Sequence, residues 1–263
     1  MPCHFSCMYE DKIDVIIRTR NSSDLLAACL DSVFREIPVR KVIIVDGGSS
    51  DNTLEIASHY NNVEIYRKPE FNLGEATQFG FNIAKTLWIA VIDSDIVLKT
   101  GWFKEISKYM YDADAVESCR LEHYRIDRLQ NLTKVKYGVF GQTLLKRQHL
   151  LELKLNQPHG EDAATKFYFD QNGLKWLKVE NYLVDHFPKF ETNVYRRTGT
   201  VISPVARYVP KKQQIEEGRI YRKYKMLSFK DVVWNMLIRG TLRETYIAFR
   251  TKIWFVLSYI GII

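Results

Sequence analysis

Over its first hundred residues the chain switches repeatedly between short β-branched runs and stretches with helical apolar spacing. That alternation leaves few folds open. Asp14-Val-Ile-Ile-Arg18, Lys41-Val-Ile-Ile-Val45, Val63 to Tyr66 and Trp88-Ile-Ala-Val-Ile-Asp93 each read as a strand. Between them, Leu25, Leu26, Cys29, Leu30, Val33 and Phe34 recur at helical spacing, with Asn21 to Ser23 available as N-cap. Residues 53–60 and 75–85 continue the helical pattern. Strands separated by helices of about ten residues imply right-handed βαβ crossovers, and so an α/β fold with a mostly parallel sheet. After residue 100 the pattern loosens. Trp102–Met110 and Asp162–Gln171 read as helices, and Ala115–Cys119 and Val135–Phe140 as strands.

Composition matters chiefly through charge. With 263 residues, 46% hydrophobic and 26% charged, the chain is long enough and apolar enough for a full core. The net charge of +7 is unevenly placed: from Arg196 onward there are 14 Lys and Arg against 4 Asp and Glu, whereas the rest holds 24 against 27. The division that follows is a mildly acidic body over 1–205 and a basic, aromatic-rich helical tail over 206–263. In the tail Leu242, Tyr246, Phe249 and Ile253 share one face, and Arg239, Arg243 and Arg250 another. The closing apolar run, Ile253 to Ile263, is shorter than the roughly 20 residues of a spanning helix. A basic amphipathic helix of this kind suits a membrane interface; the alternative is a helix packed on the domain or forming a dimer seam. No nucleic-acid-binding motif accompanies the basic stretch.

The N-terminus, with Cys3, His4 and Cys7, carries no basic-then-apolar leader, and three candidate ligands without a second pair make a poor zinc site. Four cysteines in so long a chain form no disulfide framework. The expected location is therefore cytoplasmic, peripheral on the cytoplasmic face of the membrane, and the sequons at Asn21 and Asn131 are chance matches.

Ligands of open parallel sheets collect at the carboxyl ends of the strands. Three polar groups fall there: Arg18-Thr-Arg-Asn21, Asp46-Gly-Gly-Ser-Ser-Asp51 and Asp93-Ser-Asp95. Two carboxylates one residue apart after an apolar strand offer hard oxygen ligands to Mg²⁺ or Mn²⁺, which can also hold a diphosphate. Asp46 can accept from a ribose hydroxyl or a base N–H, or serve as a turn cap.

Val15-Ile-Ile-Arg-Thr-Arg-Asn21, Val42-Ile-Ile-Val-Asp-Gly-Gly-Ser-Ser-Asp-Asn-Thr53 and Trp88-Ile-Ala-Val-Ile-Asp-Ser-Asp95 together resemble the family 2 glycosyltransferases. These are inverting enzymes of the GT-A fold, Rossmann-like, that use nucleotide-diphospho-sugars. The resemblance is specific over 12–100, the nucleotide-sugar half. It is looser over 101–195, the acceptor half, and does not reach the tail. It implies that Thr19, Asn21 and Asp46 hold the nucleoside, that Asp93 touches ribose or metal, and that Asp95 binds the metal. Gly160-Glu-Asp162 matches the later acidic motif, which makes Asp162 the expected general base. His186 completes the metal site in many members, and Arg196 and Arg197 fall where a loop could neutralise the leaving diphosphate. Two positions depart from the pattern: Arg18 stands at the family's common proline, and Gln78 at a frequent asparagine.

The expected activity is therefore transfer of one sugar from a UDP- or GDP-type donor, with Mn²⁺ or Mg²⁺, to a lipid-linked or membrane-proximal glycan or a polyprenyl phosphate. No Q-x-x-R-W motif of processive synthases is present. The competing readings are a sugar-nucleotide pyrophosphorylase, for which Arg18-Thr-Arg-Asn21 is a poor phosphate loop, and a non-catalytic membrane- or nucleic-acid-binding module.

Overall fold

The computed structural model describes residues 12–126, 129–135, 140–157 and 160–187. The first half follows the alternation of the sequence: β1 (Ile13–Thr19), α1 (Leu26–Glu36), β2 (Val39–Asp46), α2 (Thr53–Ser58), β3 (Val63–Arg67), α3 (Leu73–Ile83) and β4 (Trp88–Asp93). β5 (Ile96–Leu98), α4 (Trp102–Ile106), β6 (Ala115–Ser118), β7 (Arg120–Ile126), β8 (Leu129–Val135), β9 (Gln142–Lys146), α5 (Glu161–Gln171), β10 (Trp176–Val179) and β11 (Val184–His186) complete it.

Seven strands form the main sheet in the order β10-β6-β9-β4-β1-β2-β3. Only β9 runs antiparallel to its neighbours, β4 and β6. The chain lays β1, β2 and β3 side by side, then returns to place β4 on the other flank of β1. The strand order thus reverses between β1 and β4, the crevice where open α/β sheets bind ligands. β5, β11, β7 and β8 form a second, smaller sheet.

Alternation along the strands builds a core on each side. Val15 and Ile17 of β1, with Ala90 and Ile92 of β4, face α1 through Leu26, Cys29, Leu30 and Val33. Ile16, Ile89 and Val91 face the other way, towards Ala76 and Phe81 of α3 and Ala164 and Phe169 of α5. Gly80 of α3 sits directly on Ile16, where an added Cβ would lie 2.6 Å from Cγ2. α3 opens with a complete capping box, Asn72 accepting from the Glu75 amide at 3.0 Å and Glu75 accepting from the Asn72 amide at 2.9 Å.

The structure departs from the sequence expectations at the turns. α1 begins at Leu26 with no side-chain cap, because Asn21 is turned away at φ 51° and its Oδ1 accepts from the Ser50 amide instead. The helix expected over 102–110 keeps α geometry to Ile106 and then tightens into a 3-10 turn over Ser107–Tyr109. Of the strand expected over 135–140, positions 136–139 lie outside the described residues; β8 runs to Val135, and β9 starts after Gly141, whose φ is 97°. The tail 206–263 lies outside the described residues. Among the described residues no helix is long and apolar enough to cross a membrane.

Candidate active site

The parallel pairing of β1 with β2 sets Thr19 opposite Asp46, and its pairing with β4 sets Arg18 opposite Asp93. All four residues therefore lie at the carboxyl ends of their strands, at one level. The loops that follow are stitched together: Asn21 N–H donates to Ser49 Oγ at 2.9 Å, Ser22 N–H to Thr53 Oγ1 at 2.7 Å, and the Ser22 and Ser94 hydroxyls pair at 2.8 Å. Asp51 accepts from the Ser23 and Thr53 amides and from the Thr53 hydroxyl, a bond that holds its carboxyl well below the ordinary range.

Asp46 is fully buried, and its carboxylate folds back on its own turn. It accepts from the Gly48 and Ser49 amides, each at 3.0 Å from Oδ2, and from the Ser49 hydroxyl. It thereby shapes the loop beneath Thr19 and Asn21, whose amide meets the same Ser49. The Thr19 hydroxyl is buried at the mouth of the crevice without a hydrogen-bond partner among the described residues.

Asp93 and Asp95 diverge. Asp93 pairs with the Arg18 guanidinium at 2.5 Å and packs against the backbone of Gly141, where a Cβ would come within 2.4 Å of Oδ2. Glycine is required there both by φ and by this contact. Asp95 meets the ring of His186, Nε2 to Oδ1 3.4 Å, and its carbonyl accepts from the Phe187 amide at 2.9 Å. The pairing of β11 with β5 and β7 brings His186 to this point. The other ring nitrogen, Nδ1, faces Glu122 Oε1 at 3.3 Å, and that oxygen also takes Arg120 Nη2 at 2.7 Å. Burial works to lower the imidazole pKa, but Asp95 and Glu122 more than reverse it, to about 9. Burial likewise works to raise Glu122, and His186 and Arg120 hold it lowered.

These donors suit a divalent cation in part. Asp95 offers an oxygen and His186, once a cation displaces the proton on Nε2, a nitrogen from a neighbouring position, with Glu122 orienting the ring from behind, as outer-sphere carboxylates commonly do. Asp93 is engaged by Arg18, and among the described residues no three His, Cys, Asp or Glu side chains are grouped to hold a metal ion. A cation at Asp95 and His186 would leave most of its coordination sphere to phosphate oxygens and water, as Mg²⁺ and Mn²⁺ sites for nucleotides do.

Asp162 stands in the opening turn of α5, after Gly160 at φ 77°. Its Oδ1 accepts from the Ala163 amide at 2.7 Å. Burial, then the charge of adjacent Glu161, raises its pKa to about 6. A carboxylate near that value is ionised at neutral pH yet basic enough to take a proton. Arg196 and Arg197 lie outside the described residues.

Sequence reasoning missed Glu122, and also Glu161 and Thr77, both of which accept from Arg18 Nη1. Glu161 had a signal, its place beside Asp162. Glu122 had none, because only the register of β7 against β11 brings it to His186. Gln78 stays structural, bonding the Leu150 carbonyl and the Leu155 amide.

The family model described as Glycosyl transferase family 2 matches residues 14–173, more than half of the chain. The chain belongs to glycosyltransferase family 2. Among curated relatives, an uncharacterized glycosyltransferase of Mycoplasma pneumoniae is 30% identical over 163 residues, covering 59% of this family 2 chain and 52% of the relative. The glycosyltransferase GlyG of Streptococcus pneumoniae is 25% identical over 181 residues, covering 66% and 59%. The chain thus spans little more than half the length of these relatives. Among solved structures, S. aureus TarS in complex with UDP-GlcNAc superposes with TM-score 0.58 at 13% identity, over 94% of this chain and 81% of that one. Glucosyl-3-phosphoglycerate synthase from Mycobacterium tuberculosis, in complex with Mn²⁺, UDP and glucosyl-3-phosphoglycerate, gives 0.51 at 18% identity over 68% and 73%. At such identities the two structures speak for the GT-A-like fold alone.

Proposed function

We propose that this chain is a metal-dependent, inverting glycosyltransferase that moves one sugar from a UDP-type donor to an acceptor hydroxyl. The observation that carries the reading is the position of Asp162, a carboxylate with a pKa near 6, in the same cluster as the Asp93-Ser-Asp95 turn at the sheet's reversal point. Thr19 and Asn21, beside the loop shaped by Asp46, hold the nucleoside. Asp93 bounds the ribose side, and Asp95 with His186 binds Mn²⁺ or Mg²⁺. A bound divalent cation would neutralise the charge that develops on the departing diphosphate.

Asp162 accepts the proton of the acceptor hydroxyl as its oxygen attacks the anomeric carbon. The bond from that carbon to the diphosphate breaks with its electron pair leaving on the nucleoside diphosphate, and the configuration inverts. The UDP choice draws on the solved structures with similar folds, in which TarS carries UDP-GlcNAc and the synthase carries UDP with Mn²⁺. Arg196 and Arg197 are assigned to the diphosphate, and the basic tail of 206–263 to a membrane surface that presents a lipid-linked or membrane-proximal acceptor. The clustering of 14 Lys and Arg from Arg196 onward supports both assignments.

The test is a thermal-shift panel of UDP, GDP and dTDP, with and without Mn²⁺, on wild type and Asp95→Ala. A ligand at about 100 times its Kd adds about 2.7 kcal/mol, a shift of about 5–10 °C for a protein of this size. Stabilisation by UDP that requires both Mn²⁺ and Asp95 is the expected result. No stabilisation by any nucleotide in wild type refutes the reading.

A further inference from the structure

Arg18 follows Ile16 on the face of β1 that packs into the core. The side chains of Ile16, Ile89 and Val91 on this face are packed into the core, and Arg18 and Asp93 are the next residues on the same face. The Arg18 side chain is only 7% exposed. Its Nη1 donates to Thr77 Oγ1 of α3 at 3.1 Å and to Glu161 of α5, and its Nη2 donates to Asp93 of β4 at 2.5 Å. Its guanidinium carbon lies 5.5 Å from the centre of the Phe140 ring. One fork therefore joins four elements, two of which carry groups assigned above to the donor site and to the base.

We infer that Arg18 is a positioning residue that clamps the opening turn of α5, and with it Asp162, to the donor-site end of β4. The inference rests on the transferase reading above. Three observations carry it. Glu161, its side chain 6% exposed, is drawn inward by the guanidinium. Asp162 is the next residue, about 100° further round the helix, so seating Glu161 inward leaves Asp162 on an adjacent, partly exposed face. α5 has no side-chain cap and begins on a glycine at φ 77°, so no capping side chain fixes where its first turn sits. Finally, the clamp is poorly built as a stabiliser: the Arg18 Nε is buried without a partner among the described residues, and a buried ion network is weak evidence for net stability. Geometry is what the clamp supplies. A neutral side chain at 18 would leave Asp93 and Glu161 without this shared cation.

The test uses Arg18→Lys, Arg18→Met and Thr77→Val, the last removing one anchor of the fork without changing charge. Three quantities are measured: UDP affinity with Mn²⁺ by calorimetry, UDP release from UDP-glucose and UDP-N-acetylglucosamine with Mn²⁺, and hydrogen exchange of the Ala164–Phe167 amides. Loss of the clamp should lower kcat by about tenfold to a hundredfold, the usual effect of misplacing a reacting group by about an ångström. UDP affinity should stay within about threefold, and α5 amide exchange should rise by about tenfold or more. Lysine keeps the charge but not the fork, so Arg18→Lys should fall between Arg18→Met and wild type, and Thr77→Val should show a smaller loss of the same kind. Unchanged α5 exchange in Arg18→Lys and Thr77→Val overturns the clamp, and so does a loosened α5 that turns over at the wild-type rate. If Arg18→Met does not fold, the other two variants decide. If the wild type releases UDP from neither donor, the transferase reading fails, and the exchange measurement alone decides the clamp.

Discussion

Replacing Asp162 by asparagine should make the protein more stable at neutral pH while removing its transfer activity. Burial and the neighbouring Glu161 lift the Asp162 carboxyl from 3.8 to about 6, so the fold holds its ionised form at a cost. At 1.36 kcal/mol per pH unit the cost comes to about 3 kcal/mol well above pH 6, fading to nothing below about pH 3, where the group is protonated in both folded and unfolded chains. The wild type therefore loses stability as pH rises from about 4 to about 6, and asparagine does not. Asparagine keeps an oxygen for the Ala163 amide, so the helix start survives the change. Asp162→Asn should gain on the order of 1–3 kcal/mol at pH 8 and less than about 1 kcal/mol at pH 4. Urea titrations of both proteins from pH 4 to pH 8 read this directly, with UDP release measured alongside. A variant no more stable than wild type at pH 8, or a gain independent of pH, would refute the claim that the fold strains this carboxylate for use as a base.

Two glycines separate function from packing. Gly141→Ala forces a side chain into a left-handed φ of 97° and sets Cβ 2.4 Å from Asp93 Oδ2. A cost of about 1–2 kcal/mol in stability should come with a disproportionate fall in UDP release, as Asp93 is pushed off Arg18. Gly80→Ala drives a methyl into Ile16 Cγ2 at 2.6 Å. It should cost about 1–3 kcal/mol by denaturant titration and leave kcat close to wild type. Glu122→Gln removes the charge behind His186 and should weaken Mn²⁺ binding by about tenfold to a hundredfold in a calorimetric titration; affinity equal to wild type would exclude Glu122 from orienting the ring.

Much of the fold was legible because its signals are local. The apolar cores of β1, β2 and β4 sit where the β-branched runs are, and α1, α3 and α5 sit within two residues of the spacing that marks them. The second half was less so. β5 and β11 are three residues long and β7 and β8 are polar, so neither length nor alternation distinguishes them. A glycine at positive φ, such as Gly141 or Gly160, looks like any other glycine until the backbone is seen.

Strand runs, helix spacing and acidic turns are properties of neighbouring residues, so the α/β class, the family and the three polar strand ends where chemistry collects can be read straight from the chain. Which of those groups meet depends on the folded arrangement. Arg18 and Asp93 are 75 positions apart, Arg18 and Glu161 are 143 apart, and Glu122 reaches His186 across 64. Such contacts follow from strand order and register, which no local pattern encodes. They turn two similar aspartates into one held by an arginine and one left facing a histidine.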